Sequence, residues 1–349
     1  MGEADWEQEL TADVLAERYG ITVETVERVP MGTDTVNRRV LTSDGRRLFV
    51  KEYASTANLD AARSALDMSE FCRAADLPVP KTWADRDGDL VALSEGSAWA
   101  VTDEVPGRVA TTAMSVARAE HIGMVLGRMH RVLAAYPLPK FVQQSRWRTG
   151  TVEDALSRCN AVLAMARRHG HNDLAQLREQ LDQRREHLTQ HVDRLRIGLP
   201  KDLVEQALHA DITRPHMLVL TDVVTGIIGF RSAKAFPAWE LGRAAFDPRT
   251  VSTSDQWASC ATAMVSAYRS ENPSLPLGDV LACVRIAILY MLFSLYGATT
   301  GDYKLPHEAE VDLQQHWQDR QISIRRLLDN FDDLEDALRT SADQPGDHR

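Results

Sequence analysis

Residues 207–220 read Ala-Leu-His-Ala-Asp-Ile-Thr-Arg-Pro-His-Met-Leu-Val-Leu, and residues 224–230 read Val-Thr-Gly-Ile-Ile-Gly-Phe. Two β-rich runs, 217–220 and 226–230, are separated by a turn around Thr221-Asp222, the pattern of a short hairpin. Asp211 stands just ahead of it, two residues after His209 and before a short loop marked by Pro215. On either side the pattern is helical, over 115–134, 152–169 and 173–195 before the hairpin, and onward to about 338 after it. A carboxylate-bearing loop and hairpin set into an otherwise helical half decides the reading of the rest.

The half before residue 105 has a different character. Trp6, Leu10, Val14 and Leu15 recur at helical spacing, so a short amphipathic helix opens the chain. The pattern alternates over 23–53, with strands expected at 35–41 and 47–53 joined by Ser43-Asp44-Gly45, and further strands at 81–85, 90–94 and 99–104, with a turn at Asp87-Gly88-Asp89. A helix over 59–75 separates the two groups and ends where Pro78 and Pro80 forbid its continuation. The expectation is an α+β molecule of two lobes. Residues 1–105 form a five-stranded antiparallel sheet with one helix, 106–340 a mostly helical lobe carrying the hairpin, and 341–349 (SADQPGDHR) a disordered tail.

At 349 residues the chain is long enough to bury a sizeable core in two lobes. Its formal charge of -10 excludes bulk nucleic-acid binding as a main role, because that affinity comes from Lys and Arg against phosphate. Cys72, Cys159, Cys260 and Cys283 show no CxxC spacing and read as reduced, mostly buried thiols. The acidic start, MGEADWEQEL, has no apolar signal region. The longest apolar stretch, IAILYMLFSLY at 286–296, falls short of the roughly 20 residues a membrane helix needs, so it reads as a buried helix. No membrane association and a cytoplasmic location are expected. His121, His130 and His209 fit no zinc spacing and read as structural. Neither a G-x-S-x-G elbow nor a G-x-x-x-x-G-K-[ST] loop occurs.

The 207–230 segment resembles the aminoglycoside/choline phosphotransferase family, whose signature is H-G-D-x-x-x-x-N, a strand, a turn, a second strand ending in I-D-F or I-D-W, and then D-P-x-x-D-L. The resemblance extends over roughly 23–245. It implies a bilobal protein-kinase-like fold and transfer of the γ-phosphate of ATP, or of another nucleotide, to a hydroxyl of a small molecule or peptide. Antibiotic resistance and natural-product (modified-peptide) biosynthesis are the settings it implies. By the same resemblance Asp211 orients or deprotonates the acceptor hydroxyl. In-line phosphoryl transfer needs little covalent chemistry and much positioning, so one carboxylate on a rigid loop suffices.

In the first lobe, LFVKEY at 48–53 is similar to the strand bearing the nucleotide lysine, which is Lys51, and VPMGTDT at 29–35 to the loop covering ATP, with Gly32 and Thr33. A strand lysine supplies a compact charge for the α- and β-phosphates. Its partner should be a carboxylate on the 59–75 helix, with Glu70 and Asp67 both open. Thr102, Asp103, Glu104 and Val105 resemble the hinge whose backbone pairs with adenine, and GMVLGRMH at 123–130 the helix that follows.

The sequence departs from the signature at both metal positions: His216 stands for the Asn and Gly229 for the Asp of I-D-F. Magnesium wants hard oxygen ligands, so imidazole is a poor replacement and glycine offers no side chain. His216 is the one metal candidate left there, and magnesium is not expected to be held in the family's way. Arg214, Arg231 and Lys234 make the same region cationic. Fixed cations can stabilise phosphate charge where a metal otherwise would, which makes these three candidate phosphate contacts. Further on, FPAWELGR at 236–243 resembles D-P-x-x-D-L, with Glu240 expected to brace the catalytic loop. Two readings stand beside the enzyme: a pseudokinase-like binding or scaffold subunit serving a partner enzyme, and a metal-poor transferase or phosphate-recognising protein using those cations.

Overall fold

The computed structural model describes residues 3–29, 35–53, 59–169, 173–299 and 307–343. Helix α1 (Glu3–Val14) runs into a π-helical turn at Leu15–Tyr19, which stops at Gly20 in the left-handed region. Its buried Val14 and Leu15, with Ile21, pack on Val40, Leu48, Val50, Trp99 and Val101, forming the core of the first lobe. Those five residues belong to a sheet of β1 (Val23–Val29), β2 (Thr35–Thr42), β3 (Arg47–Tyr53), β4 (Thr82–Trp83), β5 (Ala92–Ser94) and β6 (Ser97–Asp103). The order is β1-β2-β3-β6-β4, with β5 also on β6, and every pairing is antiparallel.

The sheet has one strand more than the five expected. The added strand, β1, opens the stretch read as alternating over 23–53; its valines fall three apart, at 23, 26 and 29, and its pairing slips between Val23 and Thr25, so no run of its own set it apart. The β2–β3 register sets Lys51 opposite Asn37, and β6 sets it opposite Ala100. Helix α2 (Leu59–Ala74) follows β3 and sends Met68 and Cys72 into the core of the second lobe.

After β6 the chain crosses to the second lobe through residues 104–107. Strand β7 (Arg108–Val109) then pairs with β9 (Met217–Leu220), which pairs with β10 (Val223–Ile227), so the crossing is built into the hairpin's own sheet. Gly107 fits there because its φ is 130° and a Cβ would press on Val219 O and Thr225 Oγ1. Two further ties join the lobes: Ile227 N–H donates to Pro78 O at 2.7 Å, and Ser64 Oγ lies 2.8 Å from Ser232 Oγ.

Helix α3 (Val116–Leu133) starts at Ser115, whose hydroxyl accepts from Arg118 N–H at 3.1 Å. The helices α4 (Arg146–Thr149), α5 (Val152–Arg168) and α6 (Leu174–Ile197) lead to β8 (Gln206–Leu208), which pairs with β11 (Ala233–Ala235) across the hairpin. Then come α7 (Pro237–Ala245), α8 (Pro248–Thr253), α9 (Trp257–Glu271), α10 (Leu277–Leu281), α11 (Cys283–Phe293), α12 (His307–Asp329) and α13 (Phe331–Asp343). α3 crosses α9 closely because Gly123 and Gly127 present bare backbone: a Cβ on Gly123 would overlap Met264 O, and one on Gly127 would lie 2.7 Å from Tyr268 O.

The apolar stretch expected to be a buried helix is α11, which ends at Phe293. Its last carbonyls are collected by buried Arg184 of α6, which donates to Met291 O, Leu292 O and Ser294 O at 2.5, 3.1 and 3.0 Å. Among the described residues no helix is long and apolar enough to cross a membrane. All four cysteines are buried free thiols.

Two expectations are corrected. The second hairpin strand is Val223–Ile227 rather than 226–230: it starts three residues earlier, runs through a bulge between Val224 and Gly226, and ends where Ile227 meets Met217, the first residue of β9, just before Gly229 turns left-handed at φ 74°. Helix α13 runs to Asp343, three residues into the segment expected to be disordered; 344–349 lie outside the described residues.

Candidate active site

Asp211 lies on the loop between β8 and β9. The backbone turns just before it at Ala210, where φ is 69°, a left-handed conformation that favours glycine and stands where the family signature has one. The turn is held from both sides. His209, fully buried, accepts Asp211 N–H on Nδ1 at 3.1 Å and donates from Nε2 to Ile228 O at 3.0 Å, which sets its tautomer. Burial drives its pKa down to about 4, so the ring is neutral near pH 7.

Glu240 of α7 braces the far side of the loop. Fully buried, it accepts Ile212 N–H on Oε1 at 3.4 Å, and its Oε2 meets His130 Nε2 at 3.1 Å. Burial alone would raise its pKa, but the His130 hydrogen bond and the nearby Arg243 guanidinium hold it below the ordinary carboxylate value. His130 Nδ1 in turn meets Tyr268 Oη at 2.8 Å, tying α3, α7 and α9 into one network. His121 Nδ1 accepts Val224 N–H at 3.2 Å, so all three histidines singled out in the sequence have structural partners.

The carboxylate of Asp211 is flanked by two arginines, one per oxygen. Arg231 Nε is 2.9 Å from Oδ2, and Arg243 Nη2 is 3.4 Å from Oδ1. The two differ in setting. Arg243 is mostly buried and stacked over Trp239 and Tyr290 at 4.9 and 5.2 Å, whereas the Arg231 side chain is 66% exposed. Burial would raise the pKa of Asp211, but Arg243 first, then His216 and Arg231, pull it below the usual range, so it is ionised near neutral pH.

Arg243 carries no role in the sequence reading. The one available signal is its place three residues after Glu240, which puts the two on one face of α7. Of the three cations expected at phosphate, only Arg231 reaches Asp211. Arg214 is held by Asp247 at 3.2 Å, and Lys234 by Glu205 at 2.7 Å, on the β8–β11 ladder.

At the metal positions the residues do not fit a magnesium ion. His216 donates from Nδ1 to Asp211 O at 2.7 Å, and a Cβ at Gly229 would lie 2.5 Å from His216 Cδ2 and 2.9 Å from Nε2. The imidazole thus fills the space where a carboxylate at 229 would begin. Among the described residues no three His, Cys, Asp or Glu side chains are grouped to hold a metal.

In the first lobe, burial lowers the pKa of Lys51, and among the described residues no carboxylate reaches its ammonium. Both helix candidates are engaged elsewhere: Glu70 with Arg73 at 2.7 Å and Thr82 N–H at 2.5 Å, Asp67 with Tyr136 Oη at 2.5 Å. Gly32 and Thr33 lie outside the described residues.

At the crossing, Asp103 accepts Trp83 Nε1–H at 2.7 Å, and Glu104 pairs with Arg39 and Arg47 at 2.8 and 2.6 Å. Thr102 Oγ1 approaches Phe49 O at 3.5 Å. The backbone N–H groups of Asp103 and Glu104 are taken by Lys81 O and Arg47 O, leaving that of Val105 with no partner among the described residues.

A family model described as the phosphotransferase enzyme family matches residues 25–277. A homoserine kinase from Zymomonas mobilis is 23% identical over 218 residues, and the match spans 62% of this chain and 62% of that protein. A spectinomycin phosphotransferase solved with ADP and spectinomycin superposes with a TM-score of 0.61 at 12% identity, covering 91% of this chain and 98% of the other. An aminoglycoside phosphotransferase from Alicyclobacillus acidocaldarius gives 0.60 at 15% identity, covering 92% and 93%.

Proposed function

The chain belongs to the phosphotransferase enzyme family, and we propose that it transfers the γ-phosphate of ATP to a hydroxyl of a small molecule or peptide. One observation carries this reading: Asp211 sits on a loop fixed by His209 and Glu240, with its carboxylate ionised and turned to solvent-accessible Arg231. A carboxylate so held can accept a hydrogen bond from an incoming hydroxyl and aim its oxygen in line with the phosphorus. Positioning of this kind is most of what phosphoryl transfer asks of a protein. Lys51 supports the donor side, as a half-buried strand cation left for a phosphate to neutralise. The Val105 N–H supports adenine pairing at the crossing.

The test is ATP turnover against a panel of hydroxyl acceptors, including amino alcohols, aminoglycosides and Ser/Thr peptides. Asp211→Asn should lower kcat by at least about a hundredfold with little change in stability. Equal turnover in that variant would remove the proposed base.

A second reading, a pseudokinase-like binding subunit acting with a partner enzyme, is favoured by the closed metal positions at His216 and Gly229. Magnesium-dependent, tight ATP binding measured by calorimetry would count against it.

A further inference from the structure

We propose that Arg231 supplies the cation that faces the nucleotide phosphates, so that the chain binds nucleotide without a divalent metal. The inference rests on the reading of the Asp211 loop as a phosphoryl-transfer centre. Its observations are geometric. The space that a metal-binding carboxylate at 229 would need is filled by the His216 ring, and that ring's Nδ1–H is committed to Asp211 O. Two of the three cations in this region are held by other carboxylates, Arg214 by Asp247 and Lys234 by Glu205.

Arg231 differs from both. It pairs with Asp211 through Nε at 2.9 Å, while its side chain stays 66% exposed. Its backbone, between β10 and β11, is fixed to the start of the Asp211 loop, where Arg231 N–H donates to His209 O at 2.9 Å, and Ser232 is left-handed at φ 52°. The base is therefore set and the guanidinium reaches outward.

The division of labour between the two arginines completes the case. Arg243 holds Oδ1 from a buried, aromatic-stacked position, so Asp211 keeps a counter-charge when Arg231 turns to an arriving phosphate. A planar guanidinium presents paired N–H donors that match two phosphate oxygens, which an exposed lysine does not. The ligand class is a nucleoside di- or triphosphate in its metal-free form.

Isothermal calorimetry with ATP, in excess EDTA and in excess magnesium, tests this on the full chain. The expected result is a Kd in EDTA within about threefold of that in magnesium, and a loss of about tenfold or more in Arg231→Ala under EDTA, with Arg231→Lys recovering part of it. A thermal melt of each variant confirms folding. Binding that appears only with magnesium overturns the inference, as do unchanged binding in Arg231→Ala and absence of binding in both buffers. Metal-free binding without any acceptor turnover would leave it standing and sink the phosphotransfer reading instead. Acceptor turnover together with ATP binding that is lost in EDTA would do the reverse.

Discussion

Gly229 and His216 behave as a single substitution written at two positions. Their side-chain spaces overlap, so an aspartate at 229 cannot enter while the imidazole is present, and it would also meet a backbone at φ 74°. Gly229→Asp should therefore cost about 2 kcal/mol or more, from left-handed strain and overlap together, read as a lower urea midpoint. The double change His216→Asn with Gly229→Asp should recover part of that loss; strictly additive costs would show the two sites to be independent.

His209 carries a pH prediction with a definite sign. Its folded pKa is about 4 against an ordinary 6.5, so below pH 6.5 the unfolded chain takes up a proton that the folded chain refuses. Stability is fully present above pH 6.5 and declines as pH falls toward about 4. Half-buried His316, pushed down to about 3 mainly by loss of solvent with Arg320 next, adds in the same direction. Melting temperature should drop steadily from pH 7 to pH 4.5, and a flat profile would contradict the neutral rings.

At the scale of elements, the α3–α9 crossing depends on two missing side chains. Gly123→Ala gains up to about 1 kcal/mol of helix propensity, yet forces a methyl onto Met264 O and should lose about 1–3 kcal/mol net. Chemical denaturation measures the balance, and a stabilised variant would mean that the helices part without penalty. The sequence showed why some elements were legible and others not. Strands β2 and β3 flank a Gly45 turn and were readable to within a residue. Strand β1 was not set apart because its valines fall three apart, and the early start of β10 was masked by a bulge between Val224 and Gly226 that no local pattern announces. Asp211 and Glu240 were marked by their resemblance to the family signature rather than by any pattern of their own, whereas Arg243 became visible only when α7 packed against the loop, because an arginine on a helix reads the same whether it faces water or a carboxylate.

Across the whole molecule, the family match and the superposition on solved phosphotransferases agree with the α+β, two-lobed, kinase-like architecture expected from the hairpin outward. The net charge of -10 resides on a molecule whose Asp211 carboxylate nonetheless meets two guanidiniums, so overall acidity says little about what enters the site. The ties between the lobes have a mechanical meaning. Strand β7 on β9, Pro78 O on Ile227 N–H, and Ser64 on Ser232 all grip the short stretch of chain that carries or borders the Asp211 loop. The hairpin is thus the place where the sheet lobe grips the chain beside Asp211, and under the proposed function any turn of one lobe against the other would be passed through it to that carboxylate.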